Sequence, residues 1–162
     1  MAPEGSRTLV LGLGNPDRRD DGCGREAARR LRERLGRRAE VCEIRGEPTA
    51  ILERWAGRGR VIVIDAVRSG RPGGTVRRIA VSDRTAPATV GGTSTHGLSL
   101  GETIALGRAL GRMPEALVIY GIEVGDLAPG EGLTPPVAAA VKEVVERVDA
   151  EVARGAGEAA DA

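Results

Sequence analysis

The sequence predicts an α/β fold, a three-layer α/β/α arrangement around a five-stranded, mostly parallel, twisted sheet. Three observations predict it. Residues 8–13 and 61–66 are β-rich apolar runs, the pattern of strands buried on both faces. Helical patterns separate almost all of the strand-like runs. Three acids, Asp21, Asp65 and Glu123, follow the first, third and fifth of those runs. Ligands of open α/β sheets collect there, beyond the carboxyl ends of the strands.

The elements follow in order. Residues 8–13 form the first strand, and 24–35 a helix with Ala27, Ala28, Leu31 and Leu35 on one stripe, ended by Gly36. Residues 40–44 alternate and read as the second strand. Residues 48–55 form a short helix, with Pro48 suited to its first turn. Residues 61–66 are the third strand, apolar until Asp65. A turn at Pro72-Gly73-Gly74 leads to a fourth strand, 75–81, suited to a sheet edge. Residues 82–95 show neither period, and a loop of that length in a compact domain is often functional. A helix at 98–110 stops at Gly111 and Pro114, and 116–122 is the fifth strand. After a loop over 123–132, Thr134 caps a last helix with Pro135 in its first position. Val137, Val141, Val144, Val145, Val148 and Val152 form its core stripe. No repeat or linker divides residues 1–162, which read as a single domain with 155–162 a frayed tail.

Composition narrows the function classes. The net charge is +1, from 24 basic and 23 acidic residues, so no global field draws the chain to nucleic acid or an anionic membrane. The aromatics are Trp55 and Tyr120, too few for a base-stacking surface. Cys23 and Cys42 are too few for a disulfide framework, and there is no CxxC. They read as reduced thiols of a cytoplasmic protein. The first seven residues are short and polar, and no apolar run approaches the ~20 residues of a membrane span.

The stretch from Leu9 to Gly24 carries the strongest signal. Gly12-x-Gly14 after a strand resembles the start of a dinucleotide loop, but the third glycine is replaced by Asp17. Asp17, Asp20 and Asp21 would also repel a pyrophosphate. At about 4 Å and an effective dielectric near 20, two like charges cost about 4 kcal/mol. No nucleotide cofactor is expected. The glycines make a tight strand-to-helix turn, and the acids suit a cation.

Asp20 and Asp21 open the first helix, where one carboxylate suffices as a cap. We assign Asp20 to the cap and Asp21 to the site; the sequence alone permits the reverse. Asp65 ends an apolar strand, where a carboxylate must be paired or coordinated. A salt bridge to one of the many arginines would satisfy it, but the end of a central strand favours a site. His96 is the only histidine, and a lone histidine is commonly surface or cap. Here Gly91, Gly92 and Gly97 allow close approach of its ring to a neighbour. Two carboxylates and an imidazole, with positions left for water, suit a first-row transition metal. Cys23 at a helix start is a candidate nucleophile with His96 as base, but adjacent acids would raise its pKa, so it reads as a packing residue. Neither GxSxG nor HExxH occurs.

Taken together, these residues resemble the nickel–iron hydrogenase maturation endopeptidases. The family's G-x-G-N turn is met by Gly12-Leu13-Gly14-Asn15, and its D-D/E-x-x-G by Asp20-Asp21-Gly22-Cys23-Gly24. Its strand-ending aspartate is met by Val63-Ile64-Asp65-Ala66, and its H-x-L-x-L by His96-Gly97-Leu98-Ser99-Leu100. Tyr120-Gly121-Ile122-Glu123 and Leu133-Thr134-Pro135-Pro136-Val137 resemble its G-I-E and L-S/T-P-x-V segments. The match runs in order through nearly the whole chain.

The resemblance implies a peptidase, aspartic-type by usual classification, that removes a C-terminal extension from a hydrogenase large-subunit precursor after nickel insertion. It implies nickel arriving with that substrate, bound by Asp21, Asp65 and His96, which are also the catalytic residues. Gly12, Gly14 and Asn15 shape the groove, Asp20 supports it, and Glu123 is structural or groove-lining. Neither nucleic acid nor membrane is an expected partner. Two rivals stand beside it. A nickel-sensing accessory protein would use the same ligands without cutting. Peptidyl-tRNA hydrolase shares the Gly12-to-Pro16 opening, but its catalytic histidine follows the turn closely, where Arg19-Asp20-Asp21-Gly22 stands here.

Overall fold

The computed structural model describes residues 7–90 and 100–161, with side chains described through Gly155. Five strands, β1 (Thr8–Leu13), β2 (Ala39–Ile44), β3 (Arg60–Val67), β4 (Val76–Val81) and β5 (Ala116–Glu123), form one sheet in the order β2-β1-β3-β5-β4. All neighbouring pairs are parallel except β4 with β5. The link 68–75 returns the chain at the end of the sheet where β3 leaves it, so β4 must run the opposite way. A parallel strand would need a full crossover.

Among the described residues four helices cover the sheet: α1 (Cys23–Leu35), α2 (Pro48–Trp55), α3 (Leu100–Leu110) and α4 (Pro135–Asp161). The alternation of side chains along each strand sorts the core into two layers. Val10, Ile62, Ile64, Val118 and Tyr120 pack with Leu31 and Leu35 of α1 and the valine stripe of α4. Leu9, Leu11, Val61, Val63 and Ile119 pack with Ile51, Leu52 and Trp55 of α2 and Ile104 of α3. Trp55 is fully buried and donates its indole N–H to the Arg112 carbonyl at 2.8 Å.

Local details differ from the expected boundaries. A 3-10 turn over Arg19–Gly22 precedes α1, and another over Pro87–Val90 lies in the stretch expected to be irregular. Helix α4 runs from Pro135 to Asp161. Its last core valine is Val152.

Strand β1 leads through α1 to β2 on one side, and α2 brings the chain back to β3 on the other. The strand order therefore reverses between β1 and β3. Their carboxyl ends form the topological switch point, where open α/β sheets bind ligands.

Candidate active site

The turn after β1 is built on close backbone approach. Gly14 has φ +138, and a Cβ there would lie 2.0 Å from the Asp21 carbonyl oxygen. Its N–H is donated to the Ile44 carbonyl at 3.2 Å. The next residue, Asn15, donates its backbone N–H to Asp21 Oδ2 at 2.9 Å. Its side-chain Oδ1 accepts the Asp17 N–H at 3.0 Å, an Asx turn. Asp21 is only 1% exposed, so its carboxylate is held against the turn that the glycines shape.

Asp20 corrects one sequence expectation, since it does not cap α1. Gly22 stands at the cap and offers no side chain. The 3-10 turn places Asp20 ahead of the helix, and Arg19 takes a left-handed φ of 45° just before it. The Asp20 carboxylate turns to the loop after β5. There it accepts backbone N–H groups from Gly125 (2.8 Å), Asp126 (2.7 Å) and Thr134 (2.8 Å). Burial would raise its pKa, but these bonds outweigh burial and hold it below the ordinary carboxylate value. Backbone bonds from Arg19 N–H to the Gly130 carbonyl and from Asp20 N–H to the Asp126 carbonyl zip the same two loops together.

Asp65 lies on β3 in the plane of the switch point and is 7% exposed. Gly24 brings α1 down onto this place. A Cβ on Gly24 would sit 2.4 Å from the Ile64 oxygen and 2.5 Å from the Leu13 oxygen. Gly12 allows the same approach from the strand side. A Cβ on Gly12 would meet the Gly24 oxygen at 2.3 Å and Ala28 Cβ at 2.5 Å. The start of α1, which Asp21 immediately precedes, is thereby pressed against the ends of β1 and β3. Cys23 registers the result. Its thiol is fully buried, and its pKa is pushed well up, first by burial and then by the charges of Asp65, Asp21 and Asp20. A neutral thiol in that position suits a packing residue better than a nucleophile.

Asp21 and Asp65 are thus both buried near the first turn of α1, and the charge of each raises the Cys23 pKa. His96 lies outside the described residues, as do Gly91, Gly92 and Gly97. Among the described residues no three histidine, cysteine or carboxylate side chains converge on a metal position. Glu123 has a different task. It is 2% exposed at the end of β5 and accepts the Ser69 N–H (2.6 Å), the Ser69 hydroxyl (3.0 Å) and the Arg71 N–H (3.0 Å). It therefore holds the 68–75 link where that link crosses the end of β5. Asp65 faces Gly121 across the β3–β5 pair, two residues before Glu123. Thr134 escaped sequence reasoning. Only its position before Pro135 marked it, as a helix cap, and its bond to Asp20 spans 114 residues.

Fold and site together define a doubly wound α/β protein with two buried carboxylates at its switch point. The family model described as hydrogenase maturation protease matches residues 30–151. The chain belongs to the hydrogenase maturation protease family, and its relatives are peptidases. It is 28% identical over 144 residues to the hydrogenase 2 maturation protease of Escherichia coli K12, covering 88% of each chain. It is 32% identical over 137 residues to the hydrogenase expression/formation protein HupD of Bradyrhizobium diazoefficiens, covering 82% of this chain and 70% of that one. The solved hydrogenase maturating endopeptidase HybD from E. coli superposes with a TM-score of 0.75 at 29% identity, over 91% of this chain and 93% of that one. HybD from Thermococcus kodakarensis superposes with a TM-score of 0.71 at 26% identity, over 90% and 99%. Among the described residues no helix is long and apolar enough to cross a membrane.

Proposed function

We propose that this chain removes the C-terminal extension of a nickel–iron hydrogenase large-subunit precursor once nickel has been inserted. The observation that carries the proposal is that Asp21 and Asp65 are both buried near the start of α1 at the switch point, in a chain of this family. Nickel is cargo of the precursor and so part of the substrate. Two carboxylates and the His96 imidazole are a donor set suited to such an ion. A metal held there supplies positive charge to a scissile carbonyl or to an attacking water. The Asn15 N–H fixes Asp21 Oδ2, so this carboxylate meets the substrate already oriented. Asp65, on a central strand, is held by the sheet itself. The carboxylate oxygen of Asp21 or Asp65 that does not hold the metal would position the water that adds to the carbonyl carbon. The amide C–N bond then breaks, and the proton from that water leaves with the amine.

The test is to mix the protein with a nickel-loaded hydrogenase large-subunit precursor and follow the precursor mass. The expected result is loss of the C-terminal extension. Asp21→Asn, Asp65→Asn and His96→Ala should each abolish it while circular dichroism stays that of the parent. Full cleavage by His96→Ala would overturn the three-ligand scheme. Unchanged precursor mass with wild-type protein would instead favour a sensor of metal loading that does not cut.

A further inference from the structure

We propose that the arginine-rich outer face of α1, with the groove between it and the 131–138 segment, docks the precursor through an acidic surface of that protein. The proposal rests on the peptidase reading for the identity of the partner. Within α1 and the 3-10 turn that follows it, six of the eight exposed positions are arginines, the others being Glu33 and Gly36. Their carboxylate partners are shared rather than matched. Glu26 serves Arg29 and Arg30, and Asp149 serves Arg34 and Arg38. Glu43 serves Arg25, Arg29 and Arg32. Arg29, Arg30 and Arg32 still leave 56%, 47% and 50% of their side chains exposed. The whole chain carries a net charge of only +1, so this face is a local excess and not a sample of a basic protein.

The position of the face gives it a use. A groove of about 560 Å³ runs beside it, lined by Arg29 and Arg30 on one wall and by Pro16, Arg19 and Gly22 near the site. Gly22, next to Asp21 in sequence, lines the groove, so the groove borders the turn that carries Asp21. Guanidinium groups present planar forks that match carboxylates in pairs. The groove itself is charge-balanced, with Asp17, Glu26 and Glu131 beside Arg19, Arg29 and Arg30, so the basic excess lies on the outer face of α1, at Arg32, Arg34, Arg37 and Arg38. Trp55 and Tyr120 are both buried in the core and offer no ring for base stacking. With both aromatic rings buried and a net charge of +1, the arginine face fits an acidic protein surface better than a nucleic acid.

The experiment measures binding and cleavage separately. Affinity of the full chain for the nickel-loaded precursor is determined at about 50 and about 300 mM salt, across a large change in screening. The variants are the double Arg29→Gln/Arg30→Gln, which keeps helix propensity, and Arg84→Gln at the opposite edge of the sheet as a control for net charge. The expected result is roughly tenfold weaker binding and a flatter salt dependence for the double variant, with kcat at saturating precursor unchanged. Arg84→Gln should bind as the parent does. Equal affinity of parent and double variant, salt-independent binding, or an equal loss in Arg84→Gln would each overturn the proposal. So would arginine-dependent binding of a duplex oligonucleotide in place of the precursor. Binding without cleavage would remove the peptidase reading and leave the docking surface standing.

Discussion

Asp20 grips Thr134 with both oxygens, accepting the backbone N–H at 2.8 Å and the hydroxyl at 2.9 and 3.1 Å across 114 residues of sequence. Thr134 in turn gives its carbonyl to the Ala138 N–H in the first turn of α4. One buried carboxylate therefore joins the turn that carries Asp21 to the start of the last helix. Asp20→Ala should leave the N–H groups of Gly125, Asp126 and Thr134 without this acceptor. The expected cost is about 3–5 kcal/mol in urea unfolding. Asp20→Asn keeps the shape and one acceptor oxygen, so it should cost less than half as much. Equal midpoints for Asp20→Ala and the parent would show that the loop finds other partners.

Gly24 sets the distance between α1 and the sheet. Its missing side chain lets the helix rest against the Ile64 and Leu13 carbonyl oxygens, neither of which can rotate away. Gly24→Ala should lower stability by about 3 kcal/mol and lift the helix start from β3. Asp21 moves with that start while Asp65 stays with the strand. Processing should fall by roughly a hundredfold at temperatures where the variant remains folded. Activity equal to the parent in a folded Gly24→Ala protein would show that the spacing of the two acids is not set here.

The sheet, its edge strand and the core stripes were legible because they rest on periodic patterns of apolar residues. Leu31 and Leu35 of α1 and the valines of α4 are buried as the helical period requires. Asp21 and Asp65 stood out because a carboxylate at the end of a buried strand, or doubled at a helix start, needs a reason. The role of Asp20 was not legible. Its partners at 125, 126 and 134 come from a loop with no period, and nothing local distinguishes a cap from an anchor to a distant segment. Glu151 escaped for the same reason. It sits among the core valines of α4 as one acid in a helical pattern, and its partners lie on β3, β4 and β5.

Cys23 and Cys42 should separate cleanly under a thiol reagent. Cys23 is fully buried beside three carboxylates, whereas Cys42 is partly exposed and accepts a 3.3 Å contact from Arg54 Nη1. Alkylation of the native protein should therefore label Cys42 and leave Cys23 unmodified until denaturant is added, as peptide mass mapping would read. Cys23→Ala should retain full processing and lose about 1 kcal/mol of stability from the smaller side chain. A folded Cys23→Ala protein without activity would restore a thiol mechanism.

Glu151 is one acid-sensitive latch of the fold, along with Asp20 and Asp149, whose carboxyls are also held low. It is 2% exposed, and Arg60 and Arg78 reach it at 3.0 and 2.5 Å while Tyr120 donates its hydroxyl. Burial would raise its pKa, but the bonds from Arg78 and Tyr120 and the charges of Arg78 and Arg60 hold it below the ordinary value of 4.5. A carboxylate with a lowered folded pKa adds stability above its unfolded value, and that stability drains as pH falls through the folded value. Urea midpoints of the parent should thus drop as pH goes below about 4.5. Glu151→Gln should flatten that part of the profile, starting from a protein about 2–4 kcal/mol less stable at neutral pH because two partly buried guanidiniums lose their counter-charge. Arg60 opens β3 while Asp65 lies toward its other end, so the variant should process precursor normally wherever it is folded. A parallel fall of both profiles with pH would assign the acid sensitivity to other carboxylates.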